Sequence, residues 1–196
     1  EYTRYRAANV EPWPDLNSDG SPDVIACWPR WLGGPISAVV IALDGITGQR
    51  IWRHEEPGSA GLFPCADGPD LTGDGVSEVL LALSGTVSLG GRRTVLLDGA
   101  TGNLLWTSEA SSIQLPSPLS GFELHYLTNA AFVTSIPGDP AGFDACTDYE
   151  FRSTTGTNQK PNRFLHLDAR SGRVLGWSIE PWTLEPWYPD LIPSGN

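Results

Sequence analysis

The chain has 196 residues, with 12 Lys plus Arg against 23 Asp plus Glu and a formal net charge of -11. That length can bury a substantial core as one domain. The acidic balance, with Lys160 as its single lysine, argues against the basic face of a nucleic-acid binder. With no run of about 20 apolar residues, the sequence predicts no membrane span.

Residues 15–23 read Asp15-Leu-Asn-Ser-Asp-Gly-Ser-Pro-Asp23 and lead into the apolar run Asp23-Val-Ile-Ala-Cys-Trp. Asp15, Asn17, Asp19 and Asp23 place oxygen-bearing side chains at loop positions 1, 3, 5 and 9, and Ser21 offers its carbonyl at position 7. Calcium takes about six to eight oxygens of this hard kind. Gly20 permits the sharp turn that gathers them. A metal-free Asp/Asn/Gly turn is the other reading of such a loop. Residues 43–52, Leu43-Asp-Gly-Ile-Thr-Gly-Gln-Arg-Ile-Trp52, place a hairpin turn after the apolar run Ala38-Val-Val-Ile-Ala-Leu43. Asp and Thr are expected to bond turn amides, Gly to supply positive φ, and Trp52 to pack between neighbouring sheets.

Both signals return in step. Asp70-Leu-Thr-Gly-Asp-Gly-Val-Ser-Glu78 repeats the loop, with Asp70, Thr72, Asp74 and Glu78 as side-chain donors and Val76 as carbonyl donor. Thr72 is a neutral, weaker donor, so the second site is expected to bind calcium less tightly or to lean on water. Leu97-Asp-Gly-Ala-Thr-Gly-Asn-Leu-Leu-Trp106 repeats the hairpin, and Leu167-Asp-Ala-Arg-Ser-Gly-Arg-Val-Leu-Gly-Trp177 is a looser third copy. Repetition at such a period means stacked copies of one structural unit. A third loop is expected at 136–144, without donor spacing and therefore without calcium. Residues 152–163 read as a polar loop. Residues 185–196 resemble the stretch at 11–20, so another unit is expected to begin there. A helical EF-hand does not fit, because it needs a flanking helix and a bidentate Glu at position 12, where these loops have Ala26 and Leu81 and run on into strand-like segments.

Loop followed by strand resembles the FG-GAP and VCBS repeats of integrin-type β-propellers. Asp-Gly-x-Thr-Gly followed by Trp resembles the blade motif of quinoprotein-like (PQQ-like) propellers. The resemblance implies an all-β chain: a β-propeller with about three blades plus the start of a fourth, part of a larger propeller. The blade-like units are expected at about 11–66, 67–128 and 129–188, with the next starting at 185–196. A self-contained three-blade array and assembly from several copies are the alternatives, since propellers generally need at least four blades. The relatives imply ligand binding or adhesion, with two structural Ca2+ sites, an extracellular or cell-surface location, and a protein or glycan ligand. Further blades of the same protein or other copies would be neighbours.

No catalytic constellation is recognisable. His54, His125 and His166 are far apart, there is no His-Glu-x-x-His, and Gly58-Ser-Ala-Gly61 lacks the spacing of a nucleophile elbow. The sequence therefore predicts no enzyme. Two rivals stand beside recognition or adhesion: a structural subunit of an extracellular filament or sheath, and a carbohydrate-acting propeller enzyme. Trp13, Trp28, Trp31, Trp182 and Trp187 are candidates for stacking on sugars or for plugging gaps between blades. Cys27 and Cys65 would pair in an oxidising compartment, leaving Cys146 over. Three buried thiols are the other reading.

Overall fold

A computed structural model describes residues 9–30, 37–58, 61–84, 93–109, 122–134, 143–153 and 162–178, with side chains described for 9–29, 37–58, 68–83, 93–108 and 166–175. Every regular element among them is a strand. These are β1 (Asn9–Trp13), β2 (Asp23–Arg30), β3 (Ser37–Leu43), β4 (Arg50–Pro57), β5 (Gly61–Asp67) and β6 (Val79–Ser84), then β7 (Arg93–Leu97), β8 (Leu104–Glu109), β9 (Phe122–Thr134), β10 (Phe143–Ser153), β11 (Asn162–Asp168) and β12 (Val174–Ser178). The described residues are all-β, the class that the resemblance implies. The strands form three four-stranded sheets, β1-β2-β3-β4, β5-β6-β7-β8 and β9-β10-β11-β12, each joined in simple sequence order. All pairings are antiparallel. Each acidic loop joins the first strand of its sheet to the second.

The three hairpin turns share their backbone hydrogen bonds. Gly48, Gly102 and Gly172 each donate their amide to the carbonyl of Asp44, Asp98 and Asp168, all at 2.8 Å. The amides of those three aspartates donate onward to Gln49, Asn103 and Arg173. Asp44 Oδ1 accepts the amides of Ile46 at 2.9 Å and Thr47 at 2.7 Å, which holds its carboxyl below the ordinary carboxylate pKa. Asp168 takes the amides of Arg170 and Ser171 in the same way. The last glycine has φ of 67, 70 and 68° in the three turns. That left-handed backbone disfavours any residue with a Cβ.

The first two sheets share one apolar core. Alternate residues face it: Ile25 and Cys27 on β2, Ala38, Val40 and Ala42 on β3, Val79, Leu81 and Leu83 on β6, and Val95 and Leu97 on β7. Period-2 alternation is the strand signature. The intervening Leu80, Ala82 and Leu96 are buried as well, so the middle of the second sheet is covered on both faces. β5 packs against β1, β2 and β3, and β9 packs against β5 and β6, so each sheet leans its first strand on the sheet before it. Trp13 is only 5 % exposed and belongs to the core, which removes it from the candidates for sugar stacking. Trp28 is half-buried, and Trp31, Trp182 and Trp187 lie outside the described residues. Cys27 is buried in the core; Cys65 on β5 and Cys146 on β10 lie outside the described side chains. In the third sheet burial pushes His166 below the ordinary imidazole pKa.

An indole locks each sheet to the next. Trp52 on β4 donates its Nε1–H to the carbonyl of Gly99 in the second turn at 2.7 Å. Trp106 on β8 does the same to the carbonyl of Ala169 in the third turn at 2.8 Å. Each ring packs against the last glycine of that turn: a Cβ on Gly102 would stand 2.6 Å from Trp52, and one on Gly172 would stand 2.6 Å from Trp106. Beside the first joint, His54 faces the Gly102 carbonyl at 3.2 Å and Glu56 at 2.8 Å. Glu56 in turn pairs with Arg93 on β7 at 2.8 Å. The third copy departs from the expected alignment. Its extra residue places Gly176 opposite His166, where Trp52 stands opposite Ala42 and Trp106 opposite Leu96. Trp177 stands one position further, opposite Leu165.

This geometry separates three glycines of identical sequence role. Gly48→Ala meets only the left-handed backbone penalty, about 1–2 kcal/mol. Gly102→Ala and Gly172→Ala add an overlap with a buried indole, roughly 1–3 kcal/mol more. Urea unfolding midpoints of the three variants should therefore fall into one mild and two severe cases; equal losses would remove the joint from the account.

Candidate metal loops

The two acidic loops fold onto themselves through carboxylate-to-amide bonds. In the first, Asp15 accepts the amide of Gly20 at 2.7 Å on Oδ2 and those of Asn17 and Asp19 at 3.2 Å on Oδ1. Asn17 Oδ1 accepts the Asp19 amide at 3.0 Å, and Asp19 Oδ1 accepts the Ser21 amide at 2.8 Å. In the second, Asp70 accepts Gly73 at 2.6 Å, Asp74 at 3.2 Å and Gly75 at 2.8 Å. The Thr72 hydroxyl reaches Asp70 at 3.4 Å, and Asp74 accepts the Val76 amide at 2.8 Å. Gly20 and Gly75 hold φ of 90 and 89°, so the turn after position 5 requires the glycine that the sequence supplies. These bonds, led by Gly20 for Asp15 and by Gly75 for Asp70, hold both carboxyls below the ordinary aspartate value of 3.8.

Position 9 has a role that spacing alone did not disclose. Asp23 is 1 % exposed and Glu78 is fully buried. Asp23 Oδ2 accepts the Leu16 amide at 2.6 Å, and Oδ1 accepts the Gly45 amide of the hairpin turn at 3.0 Å. Glu78 Oε1 accepts the amides of Leu71 at 2.9 Å and Thr72 at 3.0 Å, and Oε2 accepts the Gly99 amide at 3.1 Å. A carboxylate here ties the head of the loop to the hairpin turn of the same sheet. The longer Glu reaches one more amide than Asp. The contact also explains the Asp-Gly of each turn: a Cβ on Gly45 would overlap the Pro22 carbonyl, and one on Gly99 would overlap the Ser77 carbonyl. Ala169 fills the same place in the third turn, so that close approach belongs to the two sheets with described acidic loops.

The remaining expected donors are distributed plainly. Asn17, Asp19, Thr72 and Asp74 are exposed, Asp15 and Ser21 border solvent, and Val76 is buried with its side chain in the core. Asn17 also donates its Nδ2–H to Asp44 at 2.9 Å, a second tie from loop to turn. Among the described residues no three Asp, Glu, His or Cys side chains are drawn together as a metal cluster. The donor chemistry nonetheless fits a hard cation. Each loop carries three carboxylates, and Asp23 leaves one lone pair free on each oxygen. The expected third loop falls largely within 135–142, outside the described residues. Of the expected polar loop at 152–163, positions 152–153 belong to β10 and 162–163 to β11; 154–161 lie outside the described residues.

Comparison of the chain with protein-family models and with curated proteins finds no match.

Two outcomes follow. Asp23→Ala strands the buried Leu16 amide, costing about 1–3 kcal/mol, and releases the Gly45 amide of the turn, so it should lower the unfolding midpoint more than Asp19→Ala does in metal-free buffer. The depressed carboxyls of Asp15 and Asp70 stabilise the fold fully above pH 3.8, and that contribution is lost as pH falls through their lower folded values. Acid titration followed by NMR should show both titrating below the ordinary aspartate value of 3.8.

Proposed function

We propose that the chain is a calcium-stabilised segment of a β-propeller that acts outside the cell or on its surface in protein recognition or adhesion, without catalysis. The observation that carries this reading is the equivalence of the two acidic loops, each set between the first and second strands of consecutive four-stranded sheets. Four-stranded antiparallel sheets in sequence order, each leaning on the last, are the building plan of propeller blades. In that plan Asp15, Asn17, Asp19, Asp23 and the Ser21 carbonyl hold one Ca2+. Asp70, Thr72, Asp74, Glu78 and the Val76 carbonyl hold a second. The ion neutralises carboxylates that otherwise repel across a short loop, so its binding energy becomes folding energy. Sites with neutral donors such as Thr72 suit the high calcium of extracellular fluid.

The test is thermal unfolding with and without calcium. At calcium one hundred times its Kd the fold gains about 2.7 kcal/mol, seen as a rise in Tm. Asp19→Ala and Asp74→Ala should each remove part of that rise. An unchanged Tm in millimolar calcium contradicts the metal reading. Beads coated with the chain should adhere to extracellular-matrix surfaces in calcium and release in chelator. Calcium-dependent stability without any adhesion contradicts recognition alone.

A further inference from the structure

An ionisable strip runs beside the joint that Trp52 makes. His54 on β4 stands with Nδ1 3.2 Å from the Gly102 carbonyl of the second sheet's turn and Nε2 2.8 Å from Glu56 Oε1. Glu56 is buried, at 7 % exposure, and its other oxygen accepts from Arg93 on β7 at 2.8 Å. Arg93 also donates to the Pro57 carbonyl at 2.6 Å. The strip thus leaves the turn of the second sheet, follows the edge strand of the first, and returns to the second sheet at β7. At the other joint the position of His54 belongs to Ser108, two residues after Trp106. Ser108 stands opposite Thr94 as His54 stands opposite Val40.

Both ring nitrogens of His54 face acceptors. A carbonyl has no proton to give, and a carboxylate that takes an Arg93 N–H on one oxygen is an acceptor on the other. A neutral imidazole carries one N–H and one lone pair; only the imidazolium carries two N–H groups. The neutral ring therefore completes one contact alone. The contact to the carboxylate is the stronger, being charge-assisted, so Nε2 keeps its proton and the lone pair of Nδ1 meets the Gly102 carbonyl. The bond that is lost is the one between sheets. Among the described residues the charged groups in this strip are Glu56 and Arg93. Arg53 and Glu55 alternate with the ring along β4 and pair with each other. Asp98 of the receiving turn is engaged by Thr101, and the facing strand β3 carries no ionisable side chain.

We propose that His54, Glu56 and Arg93 form a proton-controlled clasp on the first joint: the protonated ring ties the Gly102 turn to Glu56, and loss of its proton frees the turn. Histidine is the side chain that changes charge between about pH 5 and 8. The clasp favours the ring with its extra proton, so its contribution to stability is present at the acid end of that range and is lost as pH rises. Trp52 keeps its bond to the Gly99 carbonyl in either state, so the joint loosens at the Gly102 side without coming apart. The control is local, because the Trp106 joint has a serine where the first has the ring.

The test follows the intact, isotope-labelled chain by NMR from about pH 5 to about pH 8. Ring-nitrogen spectra should show protons on both nitrogens of His54 at the acid end and on Nε2 alone at the alkaline end. The Asn103 amide shares its peptide group with the Gly102 carbonyl and should shift in step with the ring. Protection of the Gly102 amide, corrected for the intrinsic pH dependence of exchange, should fall roughly tenfold across the range, the order of change that one hydrogen bond to a charged group supplies. His54→Gln, which cannot change charge, should make both amide responses flat. A proton on Nδ1 at the alkaline end, an Asn103 amide that does not move with the ring, or a pH response that survives in His54→Gln would each overturn the proposal. Should that variant fail to fold, the ring-nitrogen spectra of the unaltered chain still decide which contact the neutral ring gives up.

Discussion

A tryptophan ring laid on a glycine is the contact on which the arrangement of these sheets depends. Each joint combines a large buried aromatic surface with a hydrogen bond from Nε1 to a turn carbonyl. Truncating a buried aromatic of this size costs roughly 3–5 kcal/mol, a large share of the 5–15 kcal/mol that stabilises a typical domain. The joint demands two things of its receiving turn. The last residue must be glycine, for its positive φ and for the space the ring takes. The residue after the aspartate must present its carbonyl to the neighbouring sheet. The leading aspartate and the closing glycine of each turn follow from those demands and from the capping of the turn amides.

The acidic loops are coupled to the joints through single residues. Glu78 closes the head of the second loop and holds the Gly99 amide. Gly99 then offers its carbonyl to Trp52 of the preceding sheet. Loop, carboxylate, turn and indole form one continuous path from solvent to sheet interface. Anything that orders the loop acts on the turn that receives the indole. In the first sheet the path runs through Asp23 to Gly45, an exposed residue. The same construction thus makes an internal joint in one place and an open surface in another.

Much of this was legible in the sequence. The two loop motifs, the hairpin turns and the strand runs fell where spacing placed them, because each is encoded within about ten residues by turn chemistry and alternation. The packing of Trp52 and Trp106 between sheets was legible too, since a large aromatic after a turn has few other places to go. The third copy was legible only in part. Its extra residue before Trp177 moves the indole one register position, and register is set by strand pairing rather than by the motif itself. The buried role of Asp23 and Glu78 was hidden for a related reason. Position 9 of a cation loop and a cap for a distant turn call for the same side chain, and only the fold brings Gly45 and Gly99 within reach.

The most direct test of the account compares hydrogen exchange at three equivalent amides. Gly48, Gly102 and Gly172 make the same turn bond, at 2.8 Å in each case. If the indole joints hold the sheets together, Gly102 and Gly172 exchange only when the sheets come apart, while Gly48 exchanges through local opening of its bare turn. Equal protection at all three would mean that the turns hold themselves, and the indole joint would lose its place at the centre of the fold.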